Sequence, residues 1–347
     1  MKRIPELDYL KGILILLVIT FHLVWFEQLH PFAKQVVYTF HMPGFLLISG
    51  YLMNVSKPPK DFLRMLLWLA VPYVVMESGY IVMASLLPIR EHIEHLTLGV
   101  FLDRLLLHPL GPYWYLHTLI ICGSLYFLVV NSKFKILGFL RTKARCQGAE
   151  QNSKLLLLLR LFLIGLAYCA LSFFSFQFSS LRSGAGGTLL TFSLSSSLYF
   201  LAGVAIRQTG TDFIRFFRPS WLSPIAFALL VFLTPSPNQA SILGALIAYT
   251  AISSLLWLYG SLPPRGEVWR GAFFLGRNSL PLYVFSPIFT ILCKQFVPYL
   301  QFDGTGILFL AVSLPVCVGG SLLIAWLMDL MGISRFFFGR RALSVSC

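Results

Sequence analysis

Two ionisable residues, Lys11 and His22, stand eleven positions apart in one apolar segment near the start of the chain. At 3.6 residues per turn this is very nearly three turns, so a continuous helix would carry both side chains on one face, about 16 Å apart along its axis. Ionisable groups within an apolar segment are costly and usually mark a pathway or a site. His22 is therefore a candidate general base or proton relay, and a structural hydrogen bond to a neighbouring helix is the alternative.

Three other ionisable residues also lie in apolar segments. His41 comes just before Pro43 and Gly44, which predict a break in the helix that would free backbone groups to line a cavity. His41 is thus a second candidate for a shared polar site. Glu77 is expected to be protonated or paired, and it could pair with Arg160, another charge within a predicted span, as a purely structural contact.

Two close pairs of charged residues could share a helix face. Asp8 and Lys11 are three positions apart, and Lys60 and Arg64 are four apart, which are the spacings that bring side chains together on a helix. Cations clustered at one membrane edge suit a phosphate-bearing ligand. The general excess of Lys and Arg on the cytoplasmic side of membrane proteins predicts the same positions, and sequence position does not separate the two explanations.

The composition indicates the elements that must hold these residues. The 347 residues are 57% hydrophobic and 12% charged, with a mean hydropathy of +0.78, and a soluble domain carries about twice that charge. Apolar runs of about 20 residues suit a membrane of about 30 Å. We therefore predict an all-α, polytopic integral membrane protein with a single domain over 1–347. The predicted spans are about 10–27, 32–53, 62–87, 113–130, 155–176, 189–206, 220–234, 239–260, 280–297 and 306–332.

The distribution of basic residues predicts the topology. With the N-terminus in the cytoplasm, nineteen Lys and Arg fall in cytoplasmic segments and three in outer segments. This bias favours both termini in the cytoplasm. It also accounts for the net charge of +14 without a nucleic-acid partner, and it suits contact with anionic membrane lipids. The six cysteines show no CxxC spacing, so neither a disulfide framework nor a metal site is expected.

Four stretches of the chain form an ordered set of motifs: Leu7-Asp-Tyr-Leu-Lys-Gly-Ile continuing to Phe21-His22; Phe40-His-Met-Pro-Gly-Phe continuing to Ile48-Ser-Gly-Tyr51; Lys60-Asp-Phe-Leu-Arg64 followed by Val71-Pro-Tyr73; and Leu275-Gly-Arg-Asn-Ser-Leu-Pro-Leu-Tyr283. Taken in this order, they resemble the acyltransferase 3 family of membrane proteins, and especially its branch similar to fucose 4-O-acetylase.

The resemblance implies transfer of an acyl group, usually acetyl, from cytoplasmic acyl-CoA to a carbohydrate hydroxyl. The acceptor would be a cell-surface polysaccharide or a lipid-linked glycan at a bacterial cytoplasmic (inner) membrane. Lys11, Lys60 and Arg64 would hold the phosphates of acetyl-CoA. His22 would act as general base or carry the acyl group transiently, Asp8 would orient Lys11, and His41 would line the acceptor side.

Two departures from the family pattern leave alternatives open. Lys11 stands where much of the family has Arg, which would forfeit bidentate phosphate binding. Ser286 precedes Pro287 where the family usually has His, so a catalytically inactive member is one alternative. Another is a proton-coupled transporter or flippase of a glycolipid or small solute, which would use the same buried His, Glu and Arg. A transporter would not need a phosphate-binding mouth. The oligomeric state stays open.

Overall fold

Prolines begin three of the long helices. Pro5, Pro31 and Pro59 each occupy the first helical position of its helix, where the fixed φ of proline suits the helix and its missing N–H has no partner to lose. Glu6 and Asp8 then follow in the first turn of the first helix, where carboxylates interact favourably with the positive end of the helix dipole. The sequence therefore fixes the starts of these helices locally.

The computed structural model describes residues 4–53, 58–87, 92–131, 185–262 and 267–344, together with positions 155, 158, 162 and 163. The described residues form helices and short helical turns and no strand, which confirms the all-α prediction. The helices of the first part of the chain are α1 (Pro5–Thr20), α2 (Val24–Leu29), α3 (Pro31–Leu52), α4 (Pro59–Leu86), α5 (Leu98–Leu106), α6 (Trp114–Asn131), α7 (Ala185–Gln208) and α8 (Phe213–Phe217). Those of the second part are α9 (Leu222–Leu233), α10 (Ile242–Ser261), α11 (Glu267–Arg277), α12 (Ser279–Leu292), α13 (Val297–Leu300), α14 (Ile307–Leu330) and α15 (Ser334–Phe337).

Helices lie over nine of the ten predicted spans, and the span 155–176 falls mostly outside the described residues. Among the described helices, four are long and apolar enough to cross a membrane: Pro59–Leu86, Ile242–Ser261, Ser279–Leu300 and Ile307–Leu330. The shorter helix Leu222–Leu233 is also apolar. The count of ten spans and the orientation of the termini stay predictions.

The predicted first span is wrong in one respect, because α1 ends at Thr20. The Nδ1 atom of His22 donates to the carbonyl oxygen of Val18 at 2.7 Å, the oxygen that the backbone N–H of residue 22 would use in a continuing helix. That N–H bonds the carbonyl oxygen of Ile19 instead, at 3.1 Å. His22 therefore lies in a turn beyond the helix, and it does not share a helix face with Lys11 as the spacing predicted.

The predicted break in the second span is also wrong. Helix α3 runs without interruption from Pro31 to Leu52, with Pro43 inside it. Proline has no N–H, so the carbonyl oxygen of Thr39 lacks its usual partner at this turn. Gly44 follows, and it packs against the side chain of Leu14 from α1. The proline thus frees one carbonyl group without opening a gap in the helix.

The chain divides into two units that are each compact. Unit 1 comprises the described residues of Met1–Phe45, Pro219–Gln239 and Leu243–Cys347, and unit 2 comprises those of Leu46–Arg218 and Ala240–Ile242. In unit 1, α1 packs against α11 and α12, and α12 packs against α14. The prediction of a single domain over 1–347 stays a prediction.

In unit 2, α4 packs against α5 and α6. The rings of Phe62 and Phe127 stack with centroids 4.1 Å apart, which joins the first turn of α4 to α6. The hydroxyl of Tyr73 donates to the carbonyl oxygen of Leu105 at 2.6 Å. These contacts hold α4, the helix that carries Lys60, Arg64 and Glu77, against its neighbours.

Candidate functional site

A charged group lies near the start of α1, where two cations share one carboxylate. The Nζ atom of Lys11 lies 2.8 Å from one carboxylate oxygen of Asp8. The Nε atom of Arg277, at the end of α11, lies 3.6 Å from the other oxygen. The structure therefore brings Asp8 and Lys11 together as their spacing predicted, and it adds Arg277.

Close helix packing brings Arg277 to this group. Gly12 of α1 lies against the carbonyl oxygen of Ala272, and Gly276 of α11 lies against the carbonyl oxygen of Asp8. Any side chain at either glycine would collide with the opposing backbone. The two helices consequently touch backbone to backbone, so charged side chains from both emerge close to one another.

An aromatic cluster stabilises the same helix junction. Tyr9 lies with its ring centroid 5.2 Å from Tyr259 and 5.0 Å from Trp269, and the rings of Tyr259 and Trp269 are 5.1 Å apart. These separations suit favourable edge and tilted contacts between aromatic rings. The cluster joins α1, α10 and α11 next to Asp8.

A folded-back segment after α15 also reaches this junction. The side chain of Asn278 accepts a hydrogen bond from the backbone N–H of Ser344 at 2.8 Å and donates to the carbonyl oxygen of Phe274 at 2.9 Å. Asp329 accepts from the N–H groups of Ala342 and Leu343 at 2.7 and 2.9 Å. The residue directly after Arg277 is thereby tied to residues 342–344, which we call the strap.

A second group, the imidazole group, lies beyond the other end of α1 and comprises His22, His41 and Tyr38. The ring of Tyr38 lies 6.0 Å from that of His22 and 5.0 Å from that of His41, centroid to centroid. The hydroxyl of Tyr38 donates to the carbonyl oxygen of Phe21 at 3.1 Å. The structure thus places both predicted histidines around one aromatic ring.

The hydrogen bonds define the tautomers of both histidines. Nδ1 of His22 lies 2.7 Å from the carbonyl oxygen of Val18, and Nδ1 of His41 lies 2.7 Å from that of Val37. A carbonyl oxygen only accepts, so each Nδ1 must carry the hydrogen. In the neutral ring the lone pair then resides on Nε2, for which no hydrogen-bond partner occurs among the described residues. Each imidazole consequently presents a basic nitrogen, held in orientation by its own helix turn.

An ion pair borders the imidazole group. Lys34 pairs with Glu27, and its Nζ atom lies 5.2 Å from the centroid of the Tyr38 ring. Both charges lie within electrostatic range of His22. His22 is partly buried, so these charges act on its ring with less screening than in water.

The length of α1 separates the two groups. From Lys11 to Thr20 the helix advances about 14 Å at 1.5 Å per residue. Cations therefore lie near one end of this helix and two basic imidazoles near the other. That arrangement suits a long ligand with an anionic head and a reactive end.

The other predicted residues belong to other segments of the chain. Lys60 and Arg64 are exposed on the first turns of α4 in unit 2. Glu77 is fully buried on α4 and accepts the backbone N–H of Leu110 at 2.6 Å. Ser286 is buried on α12, which packs against α1. Arg160 lies outside the described residues, so its pairing with Glu77 stays a prediction.

Within the described part of the chain, no group of three or more His, Cys, Asp or Glu side chains could hold a metal ion.

Residues 4–326 match the model of a known family, described as an acyltransferase domain. The chain belongs to the acyltransferase 3 family. The match extends over described residues of both units. It includes the charged group around Asp8 and the imidazole group around Tyr38. The chain matches no curated protein and no solved structure. Apolar helices and family together make it an integral membrane acyltransferase.

Proposed function

We propose that this protein transfers an acetyl group from acetyl-CoA to a hydroxyl of a carbohydrate, either a cell-surface polysaccharide or a lipid-linked glycan. Membership of the acyltransferase 3 family supports the reaction class. The observation that carries the proposal is the pair of imidazoles around Tyr38, each with Nδ1 bound to its own helix turn and Nε2 available. Such a nitrogen can remove a proton from a hydroxyl group.

The proposed step is direct transfer. Nε2 of His22 takes the hydroxyl proton while the hydroxyl oxygen attacks the thioester carbonyl carbon. The new C–O bond forms, the C–S bond breaks, and the proton passes from His22 to the departing CoA sulfur. His41 would orient the acceptor. In a variant of the same chemistry, Nε2 of His22 attacks the thioester carbon first and the CoA thiolate leaves. The acceptor hydroxyl oxygen then attacks the acyl carbon, the C–N bond breaks, and the hydroxyl proton passes to the thiolate.

The donor would bind at the opposite end of α1. Lys11, oriented by Asp8 at 2.8 Å, would contact a phosphate of CoA. Lys60 and Arg64 are proposed as further donor-binding residues on the basis of the family resemblance. The pantetheine arm would then follow α1 towards His22. Ser286 stands where the family usually has histidine. This difference is compatible with the proposed step, because His22 and His41 supply the two imidazoles that the step requires.

We further propose ten spans with both termini in the cytoplasm of a bacterial inner membrane, and a place in the branch similar to fucose 4-O-acetylase. The bias of nineteen basic residues against three supports this orientation. It would put Lys11 at the cytoplasmic edge, where acetyl-CoA is available, and His22 towards the outer half of the membrane. Labelling of single introduced cysteines with a membrane-impermeant reagent in intact cells tests it: Asp103→Cys should react and Arg340→Cys should not.

The deciding experiment follows radiolabelled acetyl transfer by the purified full chain to a panel of glycans. The wild-type protein should label at least one glycan, and His22→Ala should abolish the labelling. Transfer that survives His22→Ala would reject the role of His22. Absence of acetyl-CoA binding to the wild-type protein would reject the proposed donor.

A further inference from the structure

We propose that Glu27 acts on the reaction through His22, as a positioning residue: its carboxylate, held by Lys34, stabilises the imidazolium that forms when Nε2 of His22 takes the hydroxyl proton. The inference rests on the proposed function, because it concerns the same imidazole. It adds a role for the ion pair beside the imidazole group, which the proposed step does not use.

One face of α3 carries a stripe of polar residues. Lys34, Tyr38 and His41 follow one another at spacings of four and three, so they lie on the same side of the helix. Lys34 and Tyr38 are partly buried and His41 is buried, whereas Ala33 and Gln35, which flank Lys34, are exposed. Ionisable residues along one face of an apolar helix usually mark a pathway or a site. The stripe therefore extends the imidazole group towards the start of α3.

Glu27 reaches this stripe from α2, where its carboxylate pairs with the ammonium group of Lys34. The Nζ atom of Lys34 lies 5.2 Å from the centroid of the Tyr38 ring, and the same ring lies 6.0 Å from the ring of His22. The side chains of Glu27 and Lys34 are 20% and 24% exposed, so water screens them only in part. The ion pair is thus one aromatic ring away from the proposed base.

Two contacts hold α2, the helix that carries Glu27. The ring of Phe26 packs edge-on against that of Phe21, with the centroids 5.7 Å apart. Nε2 of His30, directly after the helix, donates to the carbonyl oxygen of Thr305 at 2.9 Å. The carboxylate is therefore fixed beside the imidazole group before any substrate binds. A charge that is already in place needs no reorganisation during the reaction.

The ion pair acts on His22 with a definite sign. Glu27 and Lys34 have opposite electrostatic effects on His22, and the effect of Glu27 is the larger. In the proposed direct transfer the neutral ring gains a proton, carries a positive charge, and passes the proton to the CoA sulfur. A carboxylate nearby lowers the energy of this cation. Because Nδ1 already donates to the carbonyl oxygen of Val18, Glu27 acts across space and not through a hydrogen bond to Nδ1.

The test exchanges the two charges in the full chain purified in lipid nanodiscs. Glu27→Lys combined with Lys34→Glu keeps an ion pair at the same positions and reverses its field at His22. The measurements are the thermal unfolding midpoint, KM for acetyl-CoA, and kcat for acetyl transfer to the glycan that the wild type labels.

We expect the double variant to unfold within a few degrees of wild type and to keep its KM for acetyl-CoA. Its kcat should fall by about 10- to 100-fold, since the reversal removes an attraction and adds a repulsion. Glu27→Gln, which removes only the attraction, should lower kcat by about 3- to 10-fold. Lys294→Glu is the matched control, because it reverses an exposed lysine of the same unit; it should keep wild-type kcat.

The outcomes separate this inference from the proposed function. If the double variant regains both the stability and the kcat of wild type, the ion pair is purely structural, and the role of Glu27 is overturned while the acyltransferase proposal stands. Unchanged kcat in Glu27→Gln overturns that role in the same way. A wild-type protein that labels no glycan overturns both. If the double variant does not fold, Glu27→Gln decides by its kcat at wild-type KM.

Discussion

Nδ1 of His22 lies 2.7 Å from the carbonyl oxygen of Val18, and this hydrogen bond orients the imidazole just beyond the end of α1. The side chain takes the place of the backbone N–H at this oxygen, and that N–H bonds the carbonyl oxygen of Ile19 instead. The same Nδ1 contact recurs at His41 within an unbroken helix, so the bond alone does not force a helix to end.

Because Nδ1 of His22 makes the hydrogen bond to Val18 and Nε2 is the proposed base, a substitution can remove the base and keep the hydrogen bond. In His22→Asn, the side-chain amide N–H can still donate to the Val18 carbonyl oxygen, and Nε2 is lost. We expect the thermal unfolding midpoint to stay within a few degrees of wild type while kcat falls by about 10²- to 10⁴-fold, the range of a lost general base. A matched His41→Asn variant should reduce kcat less, since His41 is assigned only to orienting the acceptor. Normal turnover in His22→Asn would exclude His22 as the base.

Sequence predicted the helices well because their signal is local. An apolar run of about 20 residues and a proline at its start determine a membrane helix almost without reference to the rest of the chain, and nine predicted spans have helices. The end of α1 was missed because apolar residues continue to Phe26. Periodicity cannot show that a side chain will compete for a backbone carbonyl.

The candidate site was predicted only in part. Asp8 and Lys11 could be paired from their spacing, since both lie on one helix. Arg277 could not, because its contact with Asp8 depends on how α11 packs against α1. Glycines in both helices, Gly12 and Gly276, carry that signal. A single sequence does not show which glycines face each other across a helix junction.

Substitutions of Glu77 test whether this buried carboxyl group has a structural or a catalytic role. Its Oε1 atom accepts the N–H of Leu110 at 2.6 Å. Glu77→Ala should lower the free energy of unfolding by about 1–3 kcal/mol, because a buried N–H loses its acceptor. Glu77→Gln retains a carbonyl oxygen and should lose less. Both variants should keep wild-type kcat per folded molecule; a large fall in kcat for Glu77→Gln would point to a catalytic role.

Asp303 should make the start of α14 sensitive to acid. The Thr305 hydroxyl, and then the backbone N–H groups of Leu308 and Thr305, donate to its carboxylate and lower the pKa of Asp303 below its usual value. Because the folded pKa is depressed, its stabilisation is present above the unfolded pKa of about 3.9 and is lost as the pH falls through the folded pKa. The difference in unfolding midpoint between wild type and Asp303→Asn should be constant from pH 7 to about pH 5 and shrink below about pH 4. A difference that grows on acidification would contradict this.

The contact between Gly276 and the carbonyl oxygen of Asp8 predicts opposite effects for two glycine substitutions in α11. Gly276→Ala places a methyl group against the α1 backbone. The helices must separate, which should cost about 1–3 kcal/mol of stability and weaken acetyl-CoA binding, since Asp8, which orients Lys11, lies at this contact. Gly271→Ala lies in open space on the same helix and should stabilise by about 0.5–1 kcal/mol with unchanged binding, because alanine favours the helix. Thermal unfolding and acetyl-CoA binding, measured together on both variants, check the pair. Equal behaviour of the two would show that α1 and α11 do not meet at Gly276.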